Sequence, residues 1–114
     1  MEVLVRRSNL KGWAKVPSSK SYTHRGLLCA TLAKGRSRIF SPLISEDTEA
    51  TVFVLSKLGV KVIRSRGVWE VEGGNFQKPD DTLYCCESGT TLRMTMPLCT
   101  LVEGMCTLRF SAKS

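Results

Sequence analysis

A five-residue run, Thr31-Leu32-Ala33-Lys34-Gly35, returns later in the chain as Thr100-Leu101-Val102-Glu103-Gly104, and this return limits the folds open to the sequence. At the same offset Ser19 aligns with Ser88 and Ile39 with Leu108. Each serine stands just before a helix signal, and each glycine just after one. Ile39 and Leu108 each fall in a strand signal that follows. A short match of this kind can come from stereotyped helix caps, but the combination is better explained by a β-α-β unit that occurs twice.

The residues between these marks alternate in the same way. Strand signals cover 2–5 and 12–16, the latter with Trp13 and Val16 apolar, and Pro17-Ser18-Ser19 breaks the run. A helix is expected over 20–34, capped by Ser19 or Ser21 and stopped at Gly35, with Leu28 and Leu32 one turn apart and facing the core. Residues 38–44 read as a strand into a turn. The next helix, 46–58, has Ser45 as cap, Glu46, Asp47 and Glu49 in its first turn, Lys57 in its last, and an apolar stripe of Val54, Leu55 and Leu58. Strands at 61–65 and 68–72 flank a tight turn at Arg66-Gly67. A polar loop over 73–81, a strand over 82–86, a helix over 88–103 and a strand over 105–110 complete the chain. The fold class is α/β of the α+β type. The first copy reads β-α-β-α-β-β and the second stops after β-α-β, so the chain is expected to be a piece of a longer protein.

The length of 114 residues suits one small domain, and a hydrophobic fraction of 42% is ordinary for a globular protein. No apolar run approaches the ~20 residues of a membrane span, and the N-terminal apolar run is too short for a secretory signal. A cytoplasmic location is expected. The five cysteines, Cys29, Cys85, Cys86, Cys99 and Cys106, contain no C-x-x-C pair, and the one histidine, His24, is far from the paired ones. Zinc ligands usually come in close pairs, so no metal is expected and the thiols read as buried and reduced. Nine of the 17 basic residues (Arg6, Arg7, Lys11, Lys15, Lys20, Arg25, Lys34, Arg36 and Arg38) fall in the first third, with Glu2 as the only acid there. Such a cluster is either a solvated basic face or a site for phosphates and carboxylates.

Two turns carry candidate chemistry. At Pro17-Ser18-Ser19-Lys20-Ser21-Tyr22-Thr23-His24-Arg25 a strand gives way to a helix, whose free amides and positive dipole end favour an anion. Ser19 and Ser21 add hydroxyls, Lys20 a point charge and Arg25 a fork that matches carboxylate or phosphate. Ser21 and Arg25 are four residues apart and share a helical face, so with Lys20 they would converge on one ligand. The missing glycines exclude a Walker A loop. Glu87-Ser88-Gly89-Thr90-Thr91-Leu92-Arg93 holds the equivalent place in the second copy, where Gly89 would let a ligand approach the backbone. Glu87 either accepts from a hydroxylated ligand or complements the helix dipole. His24 has no nucleophile and carboxylate beside it in sequence, so a structural role is expected. Met94 and Met96 read as core filler, and Pro97 should bend the last helix or sit where its missing N–H is tolerated.

Pro17-Ser18-Ser19-Lys20-Ser21 followed by Arg25-Gly26-Leu27-Leu28 resembles the lysine-serine signature of the 3-phosphoshikimate 1-carboxyvinyltransferase (EPSP synthase) family, with Ser18 where glycine is usual. Glu87-Ser88-Gly89-Thr90-Thr91-Leu92-Arg93 resembles its second signature, and Ser45-Glu46-Asp47-Thr48 the acidic helix start between them. Met94 stands where proline commonly follows the arginine. The resemblance covers nearly the whole chain. It implies transfer of the enolpyruvyl group of phosphoenolpyruvate to the 5-hydroxyl of shikimate 3-phosphate, with release of phosphate and no cofactor. It implies two domains of three βαβαββ units each, the inverse α/β barrel of enolpyruvyl transferases. Here residues 1–11 would associate with the other domain, and 12–114 would be a partial N-terminal domain with units at 12–73 and 82–110.

Carried over by position, Lys20, Ser21 and Arg25 would bind shikimate 3-phosphate. Lys20 and the backbone at Gly89 would bind phosphoenolpyruvate. Ser19, Thr90 and Arg93 would support these turns. Ser21 and Arg25 argue against the related UDP-N-acetylglucosamine transferases, which usually have asparagine after the lysine. No catalytic group for proton transfer is assigned within this chain, and the partners implied are the two small anions and the remainder of the enzyme. The rival reading is a small basic nucleic-acid-binding module. Aromatic residues at 7% without basic-aromatic interleaving speak against it.

Overall fold

Each α-helix begins where a serine side chain can take an orphan amide of the first turn. In the computed structural model, which describes residues 1–112, Ser19 accepts from Tyr22 N and opens α1 (Lys20–Leu32). Ser45 accepts from Thr48 N and opens α2 (Glu46–Lys57). Ser88 accepts from Thr91 N and opens α3 (Gly89–Thr95). At Ser45 the cap is reciprocal, because Ser45 N donates to Thr48 Oγ1 at 2.9 Å.

Strands β1 (Gly35–Phe40), β2 (Lys61–Ser65) and β3 (Val68–Gly73) form an antiparallel sheet in the order β1-β3-β2. Burial alternates along β3, so Trp69 and Val71 enter the core while Glu70 and Glu72 lie on the other face. There Glu72 accepts from Arg36 at 2.9 Å and Glu70 from Arg38 at 3.0 Å. Leu27, Val54, Leu55, Leu58, Val60 and Leu83 complete the core with Trp69 and Val71. A second, two-stranded sheet pairs β4 (Leu83–Tyr84) with β5 (Leu108–Arg109) in parallel, with α3 between them in sequence.

The duplicated unit is visible at its corners. Ser19 and Ser88 cap in the same way, and Gly35 and Gly104, matched in the sequence repeat, share left-handed φ values of +91° and +90°. Between the corners the copies differ. The expected helix over 88–103 breaks at Pro97, which has no N–H to continue the ladder, and a 3-10 turn (Pro97–Leu101) takes over. The strand expected over 105–110 narrows to Leu108–Arg109 and that over 82–86 to Leu83–Tyr84, while β1 begins at Gly35.

Other expectations are corrected. Residues 1–19 form no strand, and their apolar side chains, including Val3, Val5, Trp13 and Val16, are exposed. Among the described residues no neighbouring strand offers them a ladder. The stretch contributes to a radius of gyration of 17.3 Å, against about 13 Å for a compact domain of this size. α1 ends at Leu32, and Leu32 is exposed. The buried side of α1 is Thr23, His24, Leu27, Ala30 and Thr31, a stripe with helical spacing that includes three polar residues. Met96 is exposed and so fills no core.

The thiols also divide. Cys85 is buried, Cys99 and Cys106 are partly buried, and Cys29 and Cys86 are exposed. Burial pushes the Cys85 thiol up, and burial together with the Cys106 thiol pushes Cys99 up to about 12. Brief treatment of the native chain with iodoacetamide at pH 8 should therefore modify Cys29 and Cys86 first and spare Cys85 and Cys99. Peptide mass spectrometry reads this directly, and equal labelling of Cys85 and Cys29 would contradict it.

Candidate functional site

The starts of α1 and α3 carry the residues singled out in sequence. Lys20 and Ser21 occupy the first two positions of α1 and are exposed. The Lys20 ammonium is 2.7 Å from Asp47 Oδ2, in the first turn of α2. The Arg25 guanidinium lies over the Tyr22 ring at 5.9 Å, one turn along α1 from Ser21. Ser19 Oγ is engaged by Tyr22 N, and Ser19 O accepts from both Thr23 N and Thr23 Oγ1. Thr23 Oγ1 in turn accepts from Leu43 N at 2.9 Å, tying the α1 start to the loop before α2.

At the second turn, Gly89 opens α3 and Thr90 is half-buried beside it, while Arg93 is exposed. A Cβ added at Gly89 would meet no atom within 4 Å. Glu87, just ahead of the cap, is exposed and lines a 480 Å³ cavity with Glu46, Asp47 and Cys86. A larger cavity of 580 Å³, lined by Ala50, Val52, Phe53, Val62 and Arg64 among others, includes none of the predicted site residues. Among the described residues, no group of three or more His, Cys, Asp or Glu side chains comes together as metal ligands. No helix there is long and apolar enough to cross a membrane.

The link between the two turns was not legible beforehand. His24 Nδ1 lies 2.8 Å from Thr51 Oγ1, and Thr51 Oγ1 lies 2.7 Å from Thr91 Oγ1. Thr91 Oγ1 reaches Ser88 Oγ at 2.7 Å and the Asp47 carbonyl at 3.2 Å. A hydroxyl has one proton. Thr91 gives its proton to Ser88 or to Asp47, so it accepts from Thr51. Thr51 then accepts from His24, which places the histidine proton on Nδ1. This buried chain joins α1, α2 and α3, and Asp47 meets both turns.

The same assignment explains the titration of His24. Its Nε2 is buried without a partner, so protonation would create an orphan donor in an apolar setting. Burial is the main cause of a lowered pKa; Asp47 opposes it and Lys20 adds to it. The unfolded chain takes up this proton near the usual 6.5 and the folded chain only below it. Stability should thus be full above that value and decline as pH falls from 6.5 towards the folded pKa. Urea midpoints across pH 7.5 to 5 check this, and the part of the decline due to His24 should vanish in His24→Asn.

The expected structural role of His24 fits this geometry. The contact of Asp47 with Lys20 and the buried bridge at Thr51 are what sequence reasoning missed, whereas Thr91 stands in the second turn already singled out. Thr51 lies in the second turn of α2, and nothing next to it in sequence signals its partners in α1 and α3.

Comparison with known proteins gives these turns a family. A family model described as EPSP synthase (3-phosphoshikimate 1-carboxyvinyltransferase) matches residues 5–109. The 3-phosphoshikimate 1-carboxyvinyltransferase of Dehalococcoides mccartyi is 44% identical over 110 residues, covering 95% of this chain and 26% of the relative. That of Aeropyrum pernix is 47% identical over 94 residues, 82% of this chain and 22% of the relative. A solved EPSP synthase from Acinetobacter baumannii matches with a TM-score of 0.80 at 25% identity, over 89% of this chain and 24% of that one. The chain thus spans about a quarter of the length of these relatives. The nucleic-acid reading finds no counterpart among these matches, and Lys20, Arg36 and Arg38 of the basic cluster are held in ion pairs. By sequence and by fold, the chain belongs to the EPSP synthase family.

Proposed function

We propose that this chain supplies part of the substrate-binding half of an enzyme that transfers the enolpyruvyl group of phosphoenolpyruvate to the 5-hydroxyl of shikimate 3-phosphate. Phosphate leaves, and the product leads towards chorismate and the aromatic amino acids. The observation that carries the reading is the joining, through Asp47, of two serine-capped helix starts that match the family's two signatures. Both substrates are anions, and each helix start offers free amides to an anion.

Lys20, Ser21 and Arg25 hold shikimate 3-phosphate in this reading, and Lys20 with the backbone at Gly89 holds phosphoenolpyruvate. Ser19, Thr90 and Arg93 support these turns. The open space above Gly89 leaves room for a ligand to approach the backbone. Arg25 leaves the Tyr22 ring to reach its ligand, a small rotation for an exposed side chain. Residues 1–11 belong with the other domain of the whole enzyme, and 12–114 form part of the N-terminal domain. The protein works in the cytoplasm.

Chemistry needs the second domain, whose closure excludes water and completes the charge complement. The 114-residue chain alone should bind without turning over. Adding shikimate 3-phosphate should move the amide resonances of Lys20, Ser21 and Arg25, and Arg25→Ala should weaken binding by about tenfold, the scale of one charge-assisted hydrogen bond. Shifts confined to other residues would count against the assignment, and steady-state turnover by the isolated chain would show that the second domain is not needed.

A further inference from the structure

Asp47 touches both helix starts, and it does so through two different groups. Its carboxylate meets the Lys20 ammonium at 2.7 Å, and its main-chain carbonyl accepts from the Thr91 hydroxyl at 3.2 Å. A lysine ammonium has three donors. One is committed to Asp47, and the tetrahedral geometry at Nζ then fixes the directions of the other two. Without that partner an arriving anion would have to order a long and freely rotating side chain itself. The carbonyl contact belongs to the hydroxyl chain that also holds His24, so the α3 start is in register with the same residue.

We propose that Asp47 is a positioning residue: its carboxylate pins the Lys20 ammonium so that two donors face the anionic substrates, while its carbonyl keeps the first turn of α3 aligned with that ammonium. The inference rests on the binding role of Lys20 given above. Simple electrostatics predicts the opposite sign, because a carboxylate beside an anion site repels the anion and its removal should tighten binding. The two accounts are therefore separable by direction alone.

The experiment is calorimetric titration of the 114-residue chain and its variants with shikimate 3-phosphate at low salt. Lys20→Met should weaken binding. Asp47→Ala should weaken it by on the order of tenfold, the scale of freezing a lysine side chain. Asp47→Asn, which keeps an acceptor oxygen and the helix start, should lie between Asp47→Ala and the unaltered chain, and it serves if Asp47→Ala unfolds. Binding that is equal or tighter in the Asp47 variants overturns the positioning role while leaving the function reading intact. No binding by the unaltered chain, or none lost in Lys20→Met, overturns both.

A second readout follows the ammonium without ligand. Lys20 lowers the His24 pKa, so Lys20→Met should raise it when the His24 ring is titrated by NMR. In an Asp47→Ala background, where Lys20 is no longer held, that rise should shrink. A rise of the same size in both backgrounds contradicts the pinning.

Discussion

Alanine at Gly73 should cost this chain about 3 kcal/mol or more, the upper end of the range for overpacking. Gly73 is the last residue of β3 and is buried. A Cβ there would lie 2.7 Å from the Thr31 carbonyl oxygen and closer still to those of Ala30 and Ala33. These are main-chain atoms of the end of α1, so no side chain can swing aside. Gly74 N also donates to the Thr31 carbonyl at 2.9 Å, which closes the helix end onto the strand. Moving α1 away would break that bond and open the packing of Leu27 against Trp69 and Val71. Gly89→Ala is the matched control, since its Cβ meets nothing within 4 Å and alanine favours a helix. Urea denaturation should show a large fall in midpoint for Gly73→Ala and little change or a small gain for Gly89→Ala. Equal midpoints would refute the close approach.

Thr51→Val should cost about 2 to 3 kcal/mol although it preserves shape. Thr51 is fully buried and bridges His24 and Thr91. Valine leaves the His24 Nδ1–H buried without an acceptor and takes a donor from Thr91. The contrast is Thr31→Val: Thr31 Oγ1 is buried with no partner, so losing it should be neutral or stabilising. Thr51→Val and Thr91→Val should be strongly non-additive, because each disables the same chain. Additive losses in a double-mutant cycle would mean the two hydroxyls act separately.

Much of this frame could be read from the residues. Ser19, Ser45 and Ser88 were seen as helix caps because capping is local chemistry between neighbours in sequence. The hairpin at Arg66-Gly67 and the stripe of Val54, Leu55 and Leu58 are short-range patterns too, and both appear as expected. Failures came where a distant partner decides. Residues 12–16 have strand character but, among the described residues, no strand to pair with. Leu32 has the right spacing from Leu28, yet Thr23, His24 and Thr31 are buried, His24 with an α2 hydroxyl as partner and Thr23 with Ser19 O and Leu43 N. Counting apolar residues alone places the face of α1 wrongly.

The site shows the same division. The two serine-led turns were legible as separate anion-binding candidates. Their connection was not, because Asp47 reads in sequence as a complement to its own helix dipole. Only folding brings its carboxylate to Lys20 and its carbonyl to Thr91.

The hydroxyl chain has a polarity, because it ends on acceptors and begins at the His24 Nδ1–H. Protons along it all point from α1 towards the starts of α2 and α3. The basic nitrogen of His24 is at the other end, buried and without a hydrogen-bond partner among the described residues. A proton added there would be a buried donor without an acceptor, which is why the site resists charging. The histidine is a strut between helices, held among the described residues through its Nδ1–H.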